Sequence, residues 1–340
     1  MLQTETRLGD YEILDIVQSS RKEVVYRVRN KVANRIEAMK VLPDSLERDN
    51  DARERFFREI KVLARLVHPN IVTFHNAAEI DGKIVMTTEL LEGVTLADRM
   101  EVTRLPVDEA SAIVQQVLAA LGHAHSQSVV HREVTPDNIW LLQNDVVKLG
   151  GFALAKGKGD MNLTQEGTSL GTVHYMAPEQ VKGTASVDFR ADIYAAGCLL
   201  YELLTGKRPF EAKSQFDVML AHVQREATPA VVINPAIPAA LQMVIATAMQ
   251  KDPAQRYPNA FAMAAAIEEA LHGRPEKVRE SAAPLPPPAP VKEPVAPQVP
   301  VPTATTAAPP PSSIAEGLVT YLVFATLAAA FIWVVMFLAG

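Results

Sequence analysis

The chain reads as an α+β protein, with a small β-rich lobe over residues 8–89 and a large helical lobe over residues 90–272. Three observations predict that division. Between residues 11 and 88, apolar and polar side chains alternate with the two-residue period of a half-buried strand, as in Val24-Val25-Tyr26-Arg27-Val28. One amphipathic stretch at residues 51–66 interrupts the alternation and predicts a single helix there. Beyond residue 90 the helical period takes over: in residues 107–125, Ile113, Val114, Val117, Leu118 and Leu121 make one apolar stripe that faces a core. A last helix is expected over residues 259–271, stopped by Gly273 and Pro275.

After Gly273 the composition changes abruptly. Residues 281–313 are dominated by Pro, Ala and Val, which build no core and favour extended polyproline II. Residues 273–315 are therefore expected to be a linker, of which residues 281–313 could span roughly 100 Å at about 3.1 Å per residue. A proline-motif docking site is the lesser alternative. Residues 317–340 carry no charge and are apolar except for Thr320 and Thr326, with Tyr321 and Trp333 as interfacial anchors. At a rise of about 1.5 Å per residue this stretch crosses a hydrocarbon core of about 30 Å, so a transmembrane helix is expected. Ala325 and Ala329 have a helix-pairing spacing, but chance explains it in so Ala-rich a segment. Lys277, Arg279 and Lys292 precede the span, which places the preceding domain in the cytoplasm of a tail-anchored, single-pass protein of the cell membrane.

The remaining composition mostly excludes. A formal net charge of −6 gives no reason to expect nucleic-acid binding. The N-terminus lacks the charged-then-apolar pattern of a signal peptide. The single cysteine, Cys198, rules out an internal disulfide and sits in an apolar helical run, where a packing role outweighs a reactive one.

Seven segments carry a family resemblance. They are Ala38-Met39-Lys40-Val41-Leu42; Phe56-Phe57-Arg58-Glu59; His68-Pro69-Asn70-Ile71-Val72; His131-Arg132-Glu133-Val134-Thr135-Pro136-Asp137-Asn138; Gly171-Thr172-Val173-His174-Tyr175-Met176-Ala177-Pro178-Glu179; Asp192-Ile193-Tyr194-Ala195-Ala196-Gly197; and Lys251-Asp252-Pro253-Ala254-Gln255-Arg256. In type, order and spacing they resemble the bacterial-type (eukaryotic-like) Ser/Thr protein kinases over about residues 8–271. The resemblance implies a bilobal kinase fold in which Lys40, held by Glu59, binds nucleotide phosphates. Val25 and Ala38 would cover the adenine, and Glu89 and Leu91 would bind the nucleotide as well. His131, Phe152 and Leu63 would stack as a spine between the lobes. Glu179 and Arg256 would form a buried ion pair, and Asp192 would anchor the catalytic loop.

The departures fall where nucleotide and metal would touch. In Lys148-Leu149-Gly150-Gly151-Phe152-Ala153, Gly151 stands in place of the family's metal-binding Asp and Ala153 in place of its Gly. Glycine has no side chain and cannot ligate a hard cation, leaving Asn138 as the one retained metal ligand. Glu133 occupies the position of the catalytic Asp; its extra methylene moves the carboxylate by about an ångström, a shift that can cost about 10²-fold in rate. Thr135 replaces the loop Lys. Gln18, Ser20 and Glu23 fill the three glycine positions of the phosphate loop, where Arg21 and Lys22 offset the charge of Glu23. Trp140 takes the position of the adenine floor, so its ring either fills the nucleotide pocket or turns aside and packs between the lobes. Lys40 and Glu59 likewise either hold phosphates or only fix the helix.

The sequence thus predicts a membrane-anchored pseudokinase that acts as a signalling scaffold or allosteric regulator and requires no cofactor. Its partners would be proteins, such as an active kinase or a phospho-reader. Thr164, Thr168 and Ser169 are the candidate phosphosites, and Arg132 would pair with an added phosphate; an unmodified loop is the plain alternative. The enzymatic alternative is a weakly active, ATP- and Mg-dependent Ser/Thr kinase using Lys40, Glu133 and Asn138, with Asp137 as the nearest further carboxylate. Five losses at about tenfold each, or about 1.4 kcal/mol, would slow it roughly 10⁵-fold. A third reading is a catalytically silent switch that binds ATP without metal.

Overall fold

The computed structural model describes residues 7–19, 24–42, 50–152, 172–184 and 187–273. Among these, six antiparallel strands form the N-terminal sheet: β1 (Arg7–Leu8), β2 (Tyr11–Ser19), β3 (Val24–Asn30), β4 (Arg35–Val41), β5 (Phe74–Ile80) and β6 (Lys83–Glu89). Their spatial order is β1-β2-β3-β4-β6-β5. Alternation decides which face each side chain takes. In β4, Glu37, Met39 and Val41 are buried on one face, while Ala38 and Lys40 lie half-buried on the other. Tyr26, Val28, Met39, Val41 and Val85 share the small core beneath the first face.

Helix α1 (Asn50–Leu63) turns Phe56, Glu59 and Leu63 inward. It stops short of the expected residue 66, because Arg65 N–H bonds the Val62 carbonyl and Leu66 N–H that of Leu63, closing the end with tight turns. Asn70 of the following turn donates through Nδ2 to the Val147 carbonyl (2.9 Å) and to Gln116 (2.8 Å), pinning this segment to the large lobe.

The large lobe contains α2 (Leu96–Val102), α3 (Val107–Ser126), α4 (Pro178–Val181), α5 (Arg190–Thr205), α6 (Gln215–Gln224), α7 (Ala230–Ile233), α8 (Ala239–Ala248) and α9 (Ala260–His272). Helix α5 is mostly apolar and is buried on all sides from Ala191 to Thr205, with α3 and α8 packed against it. Cys198 lies there, fully buried, with burial raising its thiol pKa. Asn259 caps α9 by accepting from Ala262 N–H, and Gly273 ends it. The sequence reading missed three short strands, β7 (Gly93–Thr95), β8 (Ile139–Leu142) and β9 (Val147–Leu149), which pair in the order β7-β8-β9. Three or four residues are too few to show a period.

The described residues all belong to one compact unit, Met1–Arg279. The expected linker at 273–315 falls, after Gly273, outside the described residues, as does the membrane helix at 317–340. Among the described residues, no helix is long and apolar enough to cross a membrane.

Candidate functional site

The cleft between the lobes takes its upper wall from β3 and β4, where Val25 pairs with Lys40. Lys40 Nζ lies 2.7 Å from Glu59 Oε2, with both side chains largely buried, so the ion pair between strand and helix is formed. Val25 and Ala38 are half-buried beside it, and Leu91 is half-buried beyond the end of β6.

At the junction of the lobes, Glu89 is committed elsewhere than to a ligand. Its carboxylate accepts from Lys148 Nζ (2.7 Å) and from Thr73 N–H (2.7 Å). Burial pushes the Glu89 pKa up, but the Lys148 ammonium and the Thr73 donors outweigh it and hold it below the ordinary value. The backbone of Glu89 is engaged too: its N–H donates to the Thr73 carbonyl, and its own carbonyl accepts from the Thr88 hydroxyl at 3.2 Å. Sequence reasoning missed Lys148, whose one available signal was a lone charge in the apolar run Val147-Lys148-Leu149.

The lower wall is the β7-β8-β9 sheet. Ile139 is buried in the core, and Trp140, next along β8, is half-buried on the opposite face. Trp140 pairs across the ladder with Lys148, so the two side chains share one face. Lys148 reaches Glu89 from that face, which places the indole on the side turned towards the lobe junction.

The catalytic-loop segment hangs from Asp192 at the start of α5. Asp192 Oδ2 accepts from His131 N–H (2.8 Å) and lies 2.8 Å from His125 Nε2, while Oδ1 accepts from Arg132 N–H (2.7 Å). These donors fix Arg132 in the left-handed region, at φ 67°. Burial drives the Asp192 pKa up, but the surrounding donors, His125 foremost, hold it below the ordinary value. Glu133 N–H donates to His131 Nδ1 (3.2 Å), so Nε2 carries the proton and donates to the Gly150 carbonyl (2.7 Å). Burial keeps this imidazole neutral by lowering its pKa. Its ring meets Phe152 edge-on at 4.5 Å, and Phe152 belongs to the core that also buries Leu63.

Within this frame the groups facing phosphate and metal are poor. Glu133 is half-buried, and Thr135 is 3 % exposed, a buried hydroxyl where phosphoryl transfer calls for a cation. Asn138 Nδ2 donates to the Glu133 carbonyl (2.9 Å). Gly151 has φ 75°, and a Cβ placed on it would lie 2.7 Å from Asn138 Nδ2 and closer still to Cγ and Oδ1. The Asn138 amide thus fills the space a metal-ligating side chain at 151 would need. One neutral amide does not make a Mg²⁺ site, and among the described residues no cluster of three or more His, Cys, Asp or Glu side chains offers another.

The large-lobe scaffold is complete. Arg256 grips Glu179 with two bonds of 2.7 and 2.8 Å and also donates to the carbonyls of Gln250 and Arg190. Gln180, another residue the sequence reading missed, ties α4 to the Arg132 carbonyl at 3.1 Å. The side chain of Gln18, together with Ser20, Arg21, Lys22, Glu23, Ala153, Thr164, Thr168 and Ser169, lies outside the described residues.

Comparison with known proteins agrees with this fold. The family model described as protein kinase domain matches residues 19–270. The serine/threonine-protein kinase PknE of Mycobacterium tuberculosis (strain H37Rv) is 37% identical over 267 residues, covering 78% of this chain and 47% of PknE. PrkC of Bacillus subtilis (strain 168) is 35% identical over 264 residues, covering 77% of this chain and 41% of PrkC. This chain therefore spans less than half the length of either. The crystal structure of the M. tuberculosis PknI kinase domain superposes with a TM-score of 0.64 at 28% identity, covering 80% of this chain and 99% of that domain.

Proposed function

Since the chain belongs to the protein kinase family, we propose that it is a membrane-anchored pseudokinase of the bacterial Ser/Thr type, working by binding rather than by phosphoryl transfer. Kinases of this family use ATP with Mg²⁺, and the observation that carries the proposal is the filled metal position. Gly151 supplies no carboxylate, and the Asn138 amide sits where one would go. The buried Thr135 removes the cation expected beside a transferring phosphoryl group. The parts that shape a binding surface are kept: the Asp192 hub, the Glu179–Arg256 pair and the His131–Phe152 stack. On this reading residues 317–340 hold the domain at the inner face of the cell membrane, and its partners are proteins, an active kinase or a phospho-reader among them.

One observation favours the weakly active alternative. The Lys40–Glu59 pair that positions ATP phosphates in kinases is formed at 2.7 Å. Calorimetric titration of residues 1–279, one compact unit, with ATP in the presence and absence of Mg²⁺ separates the readings. Neither heat nor thermal stabilisation in either condition is the expected result. Binding without Mg²⁺ would make the domain a nucleotide switch, and Mg²⁺-dependent binding would restore the kinase reading.

A further inference from the structure

The turn between α1 and β5 is clasped to the large lobe through contacts with β9. Leu149 N–H donates to the Asn70 carbonyl (2.8 Å) and Val72 N–H to the Leu149 carbonyl (3.1 Å), while Lys148 Nζ reaches the Ile71 carbonyl at 3.4 Å. Within the turn, His68 accepts from Asn70 N–H through Nδ1 (3.1 Å), so the proton of the neutral ring sits on Nε2. The half-buried His68 ring stacks on half-buried His123, near the end of α3, with centroids 5.2 Å apart and planes 28° from parallel. His123 Nε2 is buried with no hydrogen-bond partner among the described residues. The charged groups facing His68 are His123 from α3 and Lys148 from β9, and Lys148 is paired with Glu89 of β6. Neither imidazole has a carboxylate partner among the described residues, unlike His75, His125 and His272.

We propose that His68 is a proton-operated latch, which clasps this turn to the large lobe when neutral and releases it when protonated. An imidazolium carries hydrogen on both nitrogens, so Nδ1 would turn a donor towards Asn70 N–H, and the acceptor that holds this N–H would be lost. The same proton sets a cation against the His123 ring and facing Lys148, with no carboxylate partner to offset it. Burial first, then His123 and Lys148, holds the His68 pKa below its ordinary value. Once the turn opens, the imidazole meets water and its ordinary value of about 6.5 returns. The open turn therefore takes up the proton first: the clasp is fully held above about pH 6.5 and is lost as the pH falls below it. Asn70 feels the loss directly, and its side chain also bonds Gln116 and the Val147 carbonyl. Helix α1 runs into this turn and brings Glu59 to Lys40, so release of the turn reaches the cleft. This inference goes beyond the proposed function and holds equally for an active or an inactive kinase.

Amide hydrogen exchange of the full chain, followed from about pH 7.5 down to about pH 5.5, tests the latch. Each rate is expressed relative to that of the unstructured chain at the same pH, which removes the intrinsic pH dependence of exchange. Protection at Ile71, Val72 and Leu149, whose N–H groups bond within and across the turn, should fall by about three- to tenfold over that range. Amides at the centre of α5 should keep their protection. His68→Asn retains an acceptor for Asn70 N–H, since an Asn side-chain oxygen bonds the amide two residues on, but it does not titrate. Its turn should be equally protected at both pH values, with thermal melting at the higher pH confirming that the variant is folded. Wild-type protection that stays flat, or that falls no more than in α5, would overturn the proposal, as would an equal fall in His68→Asn. NMR titration of the His68 imidazole in the wild-type chain needs no variant: a pKa below about 6.5 is expected, and one at or above it rules the latch out.

Discussion

Gly151→Asp restores the carboxylate that the kinase site lacks, and the structure predicts that it harms the protein without repairing it. The new Cβ would lie 2.7 Å from Asn138 Nδ2 and nearer still to two other atoms of that amide. Overpacking of this kind costs about 1–3 kcal/mol. The backbone at φ 75° adds about 1 kcal/mol for a side chain there, the low end of the range because Asp tolerates the left-handed region better than most residues. Together these come to about 2–4 kcal/mol, which in a domain of this size lowers Tm by about 6–12 °C at roughly 3 °C per kcal/mol. The assay is thermal unfolding of residues 1–279, wild type against variant, with and without ATP and Mg²⁺. Adding Asn138→Ala should return the steric part of the loss and leave the backbone part. If Gly151→Asp instead melts with the wild type and gains Mg²⁺-dependent stabilisation by ATP, the Asn138 amide yields easily and the filled-site argument fails.

Three further outcomes follow from the same geometry. Arg256→Leu strands a buried Glu179 carboxylate and should cost about 3–5 kcal/mol, read as a lower denaturant midpoint; a change below 1 kcal/mol would mean the pair is incidental. Burial lowers the His222 pKa from 6.5 to about 3. As pH falls the unfolded chain therefore takes up this proton first, and stability is full above about 6.5 and lost between there and about 3. His222→Phe should flatten that slope by up to about 1.4 kcal/mol per pH unit, and an unchanged slope would assign the loss to other groups. Trp140→Leu should tighten ATP binding if the indole occupies the nucleotide site, and equal affinity in both proteins would dismiss the plug.

Most of the fold was legible because its signals are long. Alternating strands, a single helix at 51–66 and a twenty-residue apolar stripe survive any local exception. The motif residues were legible as types, since Lys40, Glu59, His131, Glu179, Asp192 and Arg256 each have a partner that chemistry demands. What the sequence could not show is where polar groups turn once their usual partner is gone. Nothing in Asn138 says that its amide packs into the space above Gly151, because that space exists only when the chain is folded. Nor does Glu89 announce that its carboxylate is taken by Lys148, which lies 59 residues away and meets it through a three-stranded sheet too short to read. The extent of α1 was misjudged for a related reason: amphipathic spacing continues past Leu63, while the hydrogen bonds turn tighter.

The retained groups bear on the proposed function as much as the lost ones. A fully buried carboxylate such as Asp192 is costly unless every lone pair facing inward is met, and this chain meets them with two backbone N–H groups and a histidine. The same arrangement holds Arg132 at a positive φ that an arginine does not adopt freely. Both are liabilities in a loop whose only task is to connect α3 with β8. They make sense when the shape of that loop, and of the α4 segment that Gln180 ties to it, is what the protein presents. Phosphoryl transfer needs that shape together with a metal, a cation and a well-placed base, whereas recognition by another protein needs the shape alone. On the proposed reading, the Asp192 hub and the segments tied to it are kept because they serve both tasks.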